Sequence, residues 1–172
     1  MNLPASDGVA HLELAAGVML IQEHAKQWHV AADRLVIQGC SAGGHLALWL
    51  ATEKSCGISC AIALYPVADI LKWGGELLMP APFDESREEW RKASPAQRLE
   101  RRPSPILLIH GDRDETVDFR LSVDFYNKLL EKEYEAEMII VEGGRHSFDF
   151  SALSEKQFQS TARFLETHFG KE

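Results

Sequence analysis

Short apolar segments alternate with helical segments along this sequence, and no other feature constrains the fold as strongly. The predicted strands are 34–38, 58–65, 105–110 and 136–141, and the predicted helices are 8–29, 43–53, 118–133 and 154–169, with a short helix near 86–93 as a further candidate. Apolar residues on consecutive positions, as in 105–110, are typical of a parallel strand that is buried on both faces. The alternation favours an α/β fold, in which a parallel sheet is flanked by helices.

The helix predicted at 8–29 carries apolar residues at spacings of four and three, which is the pattern of an amphipathic helix. This stripe consists of Leu14, Val18, Ile21, Ala25 and Trp28. We expect it to face the interior, so that Trp28, like Trp49 on the next helix, lies in the core.

Composition excludes several classes of function. The formal net charge of −8 has the wrong sign for gripping a nucleic-acid backbone. No apolar run approaches the ~20 residues that span a bilayer, and the first residues lack the basic and apolar regions of a signal peptide. Cys40, Cys56 and Cys60 form an odd set without paired metal-ligand spacing. We therefore expect a reduced, cytoplasmic protein with no metal site, folded as one domain over 1–172.

The segment Gly39-Cys40-Ser41-Ala42-Gly43 matches the pattern G-x-S-x-G between a predicted strand and a predicted helix. At such a tight, strained turn, side chains in place of the two glycines are expected to collide with neighbouring backbone. The turn lifts the Ser41 hydroxyl out of the sheet and directs the Ala42 amide toward a developing oxyanion. The alternative is a serine that only caps the helix.

A serine nucleophile needs a base, and the base needs an orienting carboxylate. Asp112 and Asp114 follow the strand at 105–110, and His146 follows the strand at 136–141. Because the carboxyl ends of parallel strands share one edge of a sheet, these side chains are expected to meet Ser41 there. The chain order serine, aspartate, histidine is that of α/β-hydrolases. On position alone, either aspartate is a candidate for the acid.

Four segments of the sequence resemble the α/β-hydrolase esterases: GCSAGGHLALWLA, YPVAD, HGDRDETV and GGRHSF. The sequence is most similar to the carboxylesterase and acetyl-xylan-esterase-like branch, and kynurenine-formamidase-like hydrolases share SAGGHL. The resemblance implies that Ser41 is the nucleophile, Asp114 the orienting acid, His146 the base and Ala42 one oxyanion-hole donor. No cofactor is implied. Asp112 is then expected to cap its own turn.

One departure from these families is large. They carry further strands and an HGGG-like loop ahead of the first helix, and this sequence contains no such segment, so it resembles the carboxyl-terminal half of a hydrolase. One oxyanion-hole donor is worth about 10²–10³ in rate. We therefore expect weak esterase activity.

The strands are expected to lie side by side in chain order, joined by right-handed crossovers. Each crossover then moves across the sheet in the same direction, so the connecting helices fall on one face and only 154–169 covers the other. The strand at 34–38 becomes an open edge beside a partly bare apolar face. We expect the chain to form a homo-oligomer through that edge or to associate with a missing amino-terminal half.

The first functional hypothesis is a serine hydrolase that acts on small carboxylic esters, of short acyl or carbohydrate type, without binding nucleic acid or membrane. A peptidase of the prolyl-oligopeptidase kind is a second hypothesis, although SAGGHL is more esterase-like and the sequence contains no propeller. The third hypothesis is a kynurenine-formamidase-like amide hydrolase, and the fourth is a truncated, catalytically weak remnant of a hydrolase.

Several further residues have competing interpretations. His45 and His110 are expected to be structural, hydrogen-bonded residues, and Cys40 a position at which the motif tolerates any residue. In α/β-hydrolases the irregular segment at 66–100 often forms a cap over the pocket. Its large side chains then either contact substrate or pack together; they are Trp73, Met79, Phe83 and Trp90.

Overall fold

Helices and strands alternate in the computed structural model, which describes residues 9–74, 78–79, 81–148 and 153–169. The helices are α1 (Val9–Trp28), α2 (Ala42–Thr52), α3 (Ile70–Trp73), α4 (Arg87–Ala93), α5 (Arg120–Glu131) and α6 (Glu155–His168). The strands are β1 (Val36–Cys40), β2 (Cys60–Leu64), β3 (Ile106–Gly111) and β4 (Ala136–Val141). The predicted elements are all present, and α3 is an element that the sequence pattern does not predict.

The four strands form one parallel sheet in the order β1-β2-β3-β4. The predicted strand order is therefore confirmed, and all four carboxyl ends lie along one edge of the sheet. The first strand lies two residues later than expected, at Val36–Cys40 rather than 34–38. Gly39 and Cys40 belong to the ladder because they pair with Ala63 and Leu64 of β2.

The connecting helices cover one face of the sheet, as predicted. Side chains from α1, α2 and α5 pack there against alternate residues of the central strands, Ala61, Ala63, Ile106 and Leu108. On the opposite face, Phe164 and Leu165 of α6 pack against the other strand residues. The core thus lies in two layers, one on each side of the sheet.

The bare apolar face on the α6 side of the sheet is smaller than predicted. On the α6 side, Cys60, Ile62, Leu107 and Ile109 of β2 and β3 are almost completely buried. The exposed strand residues on that side lie at the two edges of the sheet: Gln38 and Cys40 of β1, and Glu137 of β4.

The predicted stripe on α1 is partly wrong. Val18 and Ala25 are buried, but Trp28 is 47% exposed and stacks on His24 at the surface. The buried side of α1 instead includes His11 and Ala15, which lie toward α2. Apolar residues lie on several sides of α1, so its periodicity alone does not predict which side is buried. The buried side is the one that packs against α2.

The described part of the irregular segment at 66–100 packs into its own small core. Met79 and Trp90 are buried there against Ile70 of α3 and against Val117 and Leu121 near α5. Trp73 and Phe83 pack on the rim of this cluster. These large side chains therefore pack against one another and do not form an open apolar surface.

Candidate active site

Ser41 lies in a strained turn between β1 and α2. Its backbone has φ 53° and ψ −119°, a conformation that non-glycine residues rarely adopt. Two hydrogen bonds hold the turn: the Ser41 amide donates to the Leu64 carbonyl of β2 at 2.9 Å, and the Ser41 carbonyl accepts from the His45 amide at 3.0 Å. This strand-turn-helix geometry projects the serine hydroxyl beyond the carboxyl edge of the sheet.

Close backbone approach explains two glycines of this turn. A Cβ at Gly39 would lie 2.1 Å from the Gly43 carbonyl oxygen, so the predicted collision is confirmed there. The same prediction is wrong for Gly43, where a Cβ would meet open space. The second tight position is Gly44, whose Cβ would lie 3.0 Å from Pro66 and 3.1 Å from the Leu64 carbonyl. The pattern G-x-S-x-G-G therefore describes the steric requirement better than G-x-S-x-G.

The structure brings Ser41, Asp114 and His146 together in one hydrogen-bonded line. His146 Nδ1 lies 2.7 Å from Asp114 Oδ2, and His146 Nε2 lies 2.9 Å from Ser41 Oγ. A carboxylate can only accept, so the proton of a neutral imidazole resides on Nδ1. Nε2 then accepts from the serine hydroxyl, which is the arrangement that a general base requires. Ser41 and His146 are 105 residues apart in the sequence, so the fold brings them together.

The Asp114 carboxylate is fully buried and fully hydrogen-bonded. Oδ1 accepts from the amides of Thr116 and Val117 at 2.8 and 2.9 Å, while Oδ2 faces His146 and His110. Burial by itself would raise the pKa of Asp114, but the hydrogen bonds from Val117, His146 and Thr116 lower the pKa below its ordinary value. The group is therefore a fixed anion at neutral pH.

Asp112 makes a different set of contacts from Asp114. Its Oδ1 accepts from the Gly143 amide at 2.7 Å, and its own amide donates to the Val141 carbonyl at 3.2 Å. Asp112 thus ties the loop after β3 to the loop after β4, instead of capping its own turn as expected. The aspartate in contact with His146 is Asp114, in agreement with the residue that the resemblance implies.

The same two loops approach each other closely at a pair of glycines. A Cβ at Gly111 would lie 2.2 Å from the Gly144 carbonyl oxygen, and a Cβ at Gly144 would lie 2.9 Å from Gly111 Cα. The Arg113 amide donates to the Gly144 carbonyl at 3.0 Å. These contacts fix Asp114 relative to His146. Sequence reasoning missed them, although a glycine in each loop was the available signal.

Ala42 is the first residue of α2, and its amide therefore lies at the helix amino terminus. Amides at that end have no acceptor within the helix, and the helix dipole favours negative charge there. The position suits one donor to an oxyanion that forms at Ser41. A second donor is not identified among the described residues around Ser41.

A pair of aromatic side chains, Tyr65 and Phe148, lies beside His146, with Tyr65 in direct contact with its ring. The Tyr65 ring lies 4.7 Å from the imidazole in an edge contact and 4.9 Å from the Phe148 ring. Tyr65 directly follows β2 and is buried; it has a positive φ of 37°, and its amide donates to the Ile109 carbonyl at 2.7 Å. Sequence reasoning did not single out these two residues, although YPVAD and GGRHSF contain them.

His45 is buried one turn beyond Ser41, and its predicted structural role agrees with its contacts. Nδ1 donates to the Val67 carbonyl at 2.9 Å, so Nε2 accepts from His11 Nε2 at 3.0 Å. Burial lowers the pKa of His45 to about 4, although the bond to Val67 opposes the shift. The pairing with His11 has no signal in the sequence.

The described residues give little sign of other binding chemistry. None of the described helices is long and apolar enough to cross a membrane. Within the same ranges, no cluster of three or more His, Cys, Asp or Glu side chains is arranged to hold a metal ion. Glu53 and Arg98 line two surface cavities, of about 630 and 340 Å³, and Ser41 and His146 line neither of them.

Similar proteins of known structure are α/β-hydrolase esterases. A truncated carbohydrate esterase from gut microbiota superposes with a TM-score of 0.81 at 17% identity, over 94% of this chain and 68% of that one. Esterase 2 of Thermogutta terrifontis, phosphoramylated by tabun, gives a TM-score of 0.78 at 20% identity, over 100% and 69%. The expected fold, a parallel sheet with flanking helices of the α/β-hydrolase type, is therefore confirmed.

Sequence comparison identifies the family. The acylamino-acid-releasing enzyme of Mus musculus is 23% identical over 99% of this chain, which spans only 25% of that enzyme's length. The sequence matches the prolyl oligopeptidase family over residues 16–172. This is the family of the peptidase hypothesis, whereas the structures named above are esterases. The chain belongs to the prolyl oligopeptidase family, within the α/β-hydrolase superfamily.

Proposed function

We propose that this protein is a serine hydrolase that cleaves carboxylic esters of short acyl or carbohydrate type through an acyl-enzyme. The observation that carries the proposal is the line Ser41–His146–Asp114, with contacts of 2.9 and 2.7 Å. Family membership supports hydrolase chemistry, and the esterase structures support an ester as substrate.

In the proposed first step, His146 Nε2 removes the proton of Ser41 Oγ, which attacks the carbonyl carbon of the ester. The carbonyl oxygen becomes an oxyanion, and the Ala42 amide donates to it. Asp114 stays ionised and stabilises the imidazolium. When the intermediate collapses, the alcohol leaves with the proton from His146, and the acyl group remains on Ser41.

In the second step, water replaces the alcohol. His146 removes a proton from the water molecule, whose oxygen attacks the acyl carbon, and the proton then returns to Ser41 Oγ as the acid departs. Every proton transfer uses one histidine, so the chemistry requires no cofactor.

A peptidase or amide hydrolase is the second candidate. It is favoured by the family match and by the similarity to the acylamino-acid-releasing enzyme. Both candidates share the residues and steps given above and differ in the leaving group. Ser41 does not line either of the two cavities described above, so substrate preference has to be measured.

The proposal is tested first with a fluorophosphonate probe, because only an activated serine reacts with it rapidly. Rapid labelling of the wild type and its loss in Ser41→Ala are expected. Ser160→Ala, at a half-buried position of α6 whose hydroxyl donates to the Lys156 carbonyl, is the matched control and should label like the wild type. Wild-type labelling no faster than that of Ser41→Ala would contradict the proposal and favour a non-catalytic remnant.

Substrate class is decided by comparing kcat/KM on p-nitrophenyl acetate with kcat/KM on an N-acetylamino-acid p-nitroanilide and on dipeptide amides. We expect the ester to be preferred and turnover to be weak, since one oxyanion-hole donor is worth about 10²–10³ in rate and Ala42 is the one donor identified among the described residues. A higher kcat/KM on the anilide or amides would favour the peptidase instead. We also propose a cytoplasmic location, on the basis of the three unpaired thiols.

A further inference from the structure

His110 lies at the end of β3 and has no solvent exposure. Its Nε2 is 3.1 Å from Asp114 Oδ2 and 3.0 Å from the Val117 carbonyl oxygen, and its Nδ1 is 2.7 Å from Ser122 Oγ. The serine is also completely buried, on the first turn of α5. A buried chain of hydrogen bonds therefore continues from Ser122 through His110 to Asp114.

The partners fix the protons along this chain. Both partners of Nε2 are acceptors, a carboxylate and a carbonyl, so Nε2 carries the hydrogen. In a neutral imidazole Nδ1 then lacks a hydrogen and accepts from the Ser122 hydroxyl. Without that hydroxyl, nothing in this set of contacts would favour the Nε2–H tautomer from the Nδ1 side.

The ring stays neutral because it is buried. Burial lowers the pKa of His110, and the nearby His146 acts in the same direction, whereas Asp114 and the Val117 carbonyl oppose the shift. The neutral N–H of His110 disperses the negative charge of Asp114 Oδ2 but leaves the carboxylate ionised. Oδ2 thereby lies between two N–H groups, that of His110 at 3.1 Å and that of His146 at 2.7 Å.

We propose that Ser122 and His110 are positioning residues, in which Ser122 orients His110 so that its Nε2–H fixes Asp114 Oδ2 beneath His146. This inference rests on the proposed function, because it assigns the two residues a part in the same hydrolysis. The Ser122 hydroxyl and the His110 ring act through Asp114 and do not contact substrate. Their removal should change the proton affinity of His146, which a purely structural role would leave unaltered.

The direction of that change follows from the hydrogen bonds. If Asp114 Oδ2 loses the N–H of His110, its charge is less dispersed and attracts the protonated form of His146 more strongly. The midpoint of the kcat/KM pH profile should therefore move to higher pH. Loss of one hydrogen bond to a charged group should lower kcat about tenfold, with KM unchanged.

The test uses four variants of the full chain. His110→Met removes the donor at similar volume, His110→Gln restores an N–H at the place of Nε2, and Ser122→Ala removes the orienting hydroxyl. Ser94→Ala is the matched control, since Ser94 is also fully buried and its hydroxyl donates to Asp69 at 3.0 Å, outside the chain of hydrogen bonds. Each variant is assayed on p-nitrophenyl acetate across pH.

We expect His110→Met to raise the midpoint of the pH profile and to lower kcat, and His110→Gln to restore both toward the wild-type values. Ser122→Ala should raise the midpoint by a smaller amount. Ser94→Ala should keep the wild-type midpoint. A wild-type midpoint in folded His110→Met, or equal behaviour of the methionine and glutamine variants, would overturn it. If His110→Met does not fold, Ser122→Ala decides by the presence or absence of the shift.

A second readout does not depend on turnover. Titration of the His146 imidazole by ¹⁵N NMR, assigned with His146→Gln, measures the midpoint directly in each variant that folds and can be compared with the midpoint of the pH profile. If the wild type cleaves no ester but the midpoint moves as expected, the proposed function fails and the positioning of Asp114 stands. If esters are cleaved and the midpoint does not move, only the positioning inference fails.

Discussion

At the scale of single residues, the two neighbouring aspartates differ in partner, and mutation should separate them. Asp114→Asn should lower kcat/KM by about 10³–10⁴, because the amide no longer enforces the correct imidazole tautomer. Asp112→Asn keeps a side-chain oxygen for the Gly143 amide and should cost less than about tenfold. Steady-state assays on p-nitrophenyl acetate measure both values. Equal losses at the two positions would refute the assignment of the acid to Asp114.

The buried His45 should make folding stability depend on pH. Its folded-state pKa of about 4 lies below the ordinary value of 6.5, so the unfolded chain takes up a proton first as the pH falls. The stabilisation is fully present above pH 6.5 and is lost as the pH falls toward 4, by about 1.4 kcal/mol per pH unit.

Urea unfolding of the wild type and of His45→Asn between pH 7 and pH 4 measures this contribution. Asparagine keeps a donor for the Val67 carbonyl and does not titrate, so its free energy of unfolding should fall less steeply over that range. Parallel curves for the two proteins would show that His45 is not the group responsible.

How far the sequence predicts the candidate site differs from residue to residue. Ser41 and His146 follow from a motif and from strand ends, whereas only the family resemblance selects Asp114 over Asp112. Nothing in the sequence connects His110 and Ser122 to Asp114. Their contacts depend on where α5 begins relative to β3, which local sequence does not determine.

At the scale of secondary-structure elements, the turn between β1 and α2 offers a comparison between glycines only four residues apart. Gly39→Ala places a Cβ 2.1 Å from backbone oxygen, so the strand and helix would have to separate. We expect a loss of at least about 3 kcal/mol in the free energy of unfolding. Gly43→Ala meets open space inside a helix and should be neutral or stabilising by up to about 1 kcal/mol.

Urea denaturation of both variants measures these changes in stability, and circular dichroism shows whether each folds. Similar losses at Gly39 and Gly43 would mean that helix and strand adjust to a side chain at either position. The outcome tests the geometry of the turn independently of catalysis.

Strands are predicted most accurately where consecutive apolar residues mark them. The bounds of β4 agree with the prediction, and those of β2 and β3 differ by one or two residues. The first strand is displaced because its last two residues, Gly39 and Cys40, belong both to the motif and to the ladder. The orientation of α1 requires knowledge of its neighbour, since Trp28 is as apolar as the residues that are buried.

At the scale of the whole molecule, β1 is an edge strand that pairs only with β2 among the described strands, and the outer side of α1 exposes apolar side chains. Leu12, Met19 and Leu20 of α1 are 67%, 53% and 49% exposed. Odd-numbered residues at both ends of β1 bond to β2, as shown by the Leu35 carbonyl and the Ser41 amide. Even-numbered residues such as Gln38 therefore direct their backbone groups to the open side.

We predict that the protein associates with a second copy through this edge, because an unpaired strand readily adds another. Sedimentation velocity should give a dimer or larger species at micromolar concentration. Gln38→Pro removes an amide on the open side and should shift the distribution toward monomer. Leu130→Glu, on the exposed side of α5, is the control and should leave it unchanged. A wild-type monomer at all concentrations would contradict the prediction.

The hydrogen-bonded line of Ser41, Asp114 and His146 has a consequence for biosynthesis. Its members follow three different strands, and the last of them becomes usable only after β4 has paired with β3. A ribosome-bound chain that still lacks residue 146 outside the exit tunnel has a serine without a base, even if β1 and α2 have already folded. Hydrolytic activity would therefore appear abruptly once β4 has emerged and paired with β3, and its onset would report when that pairing is complete.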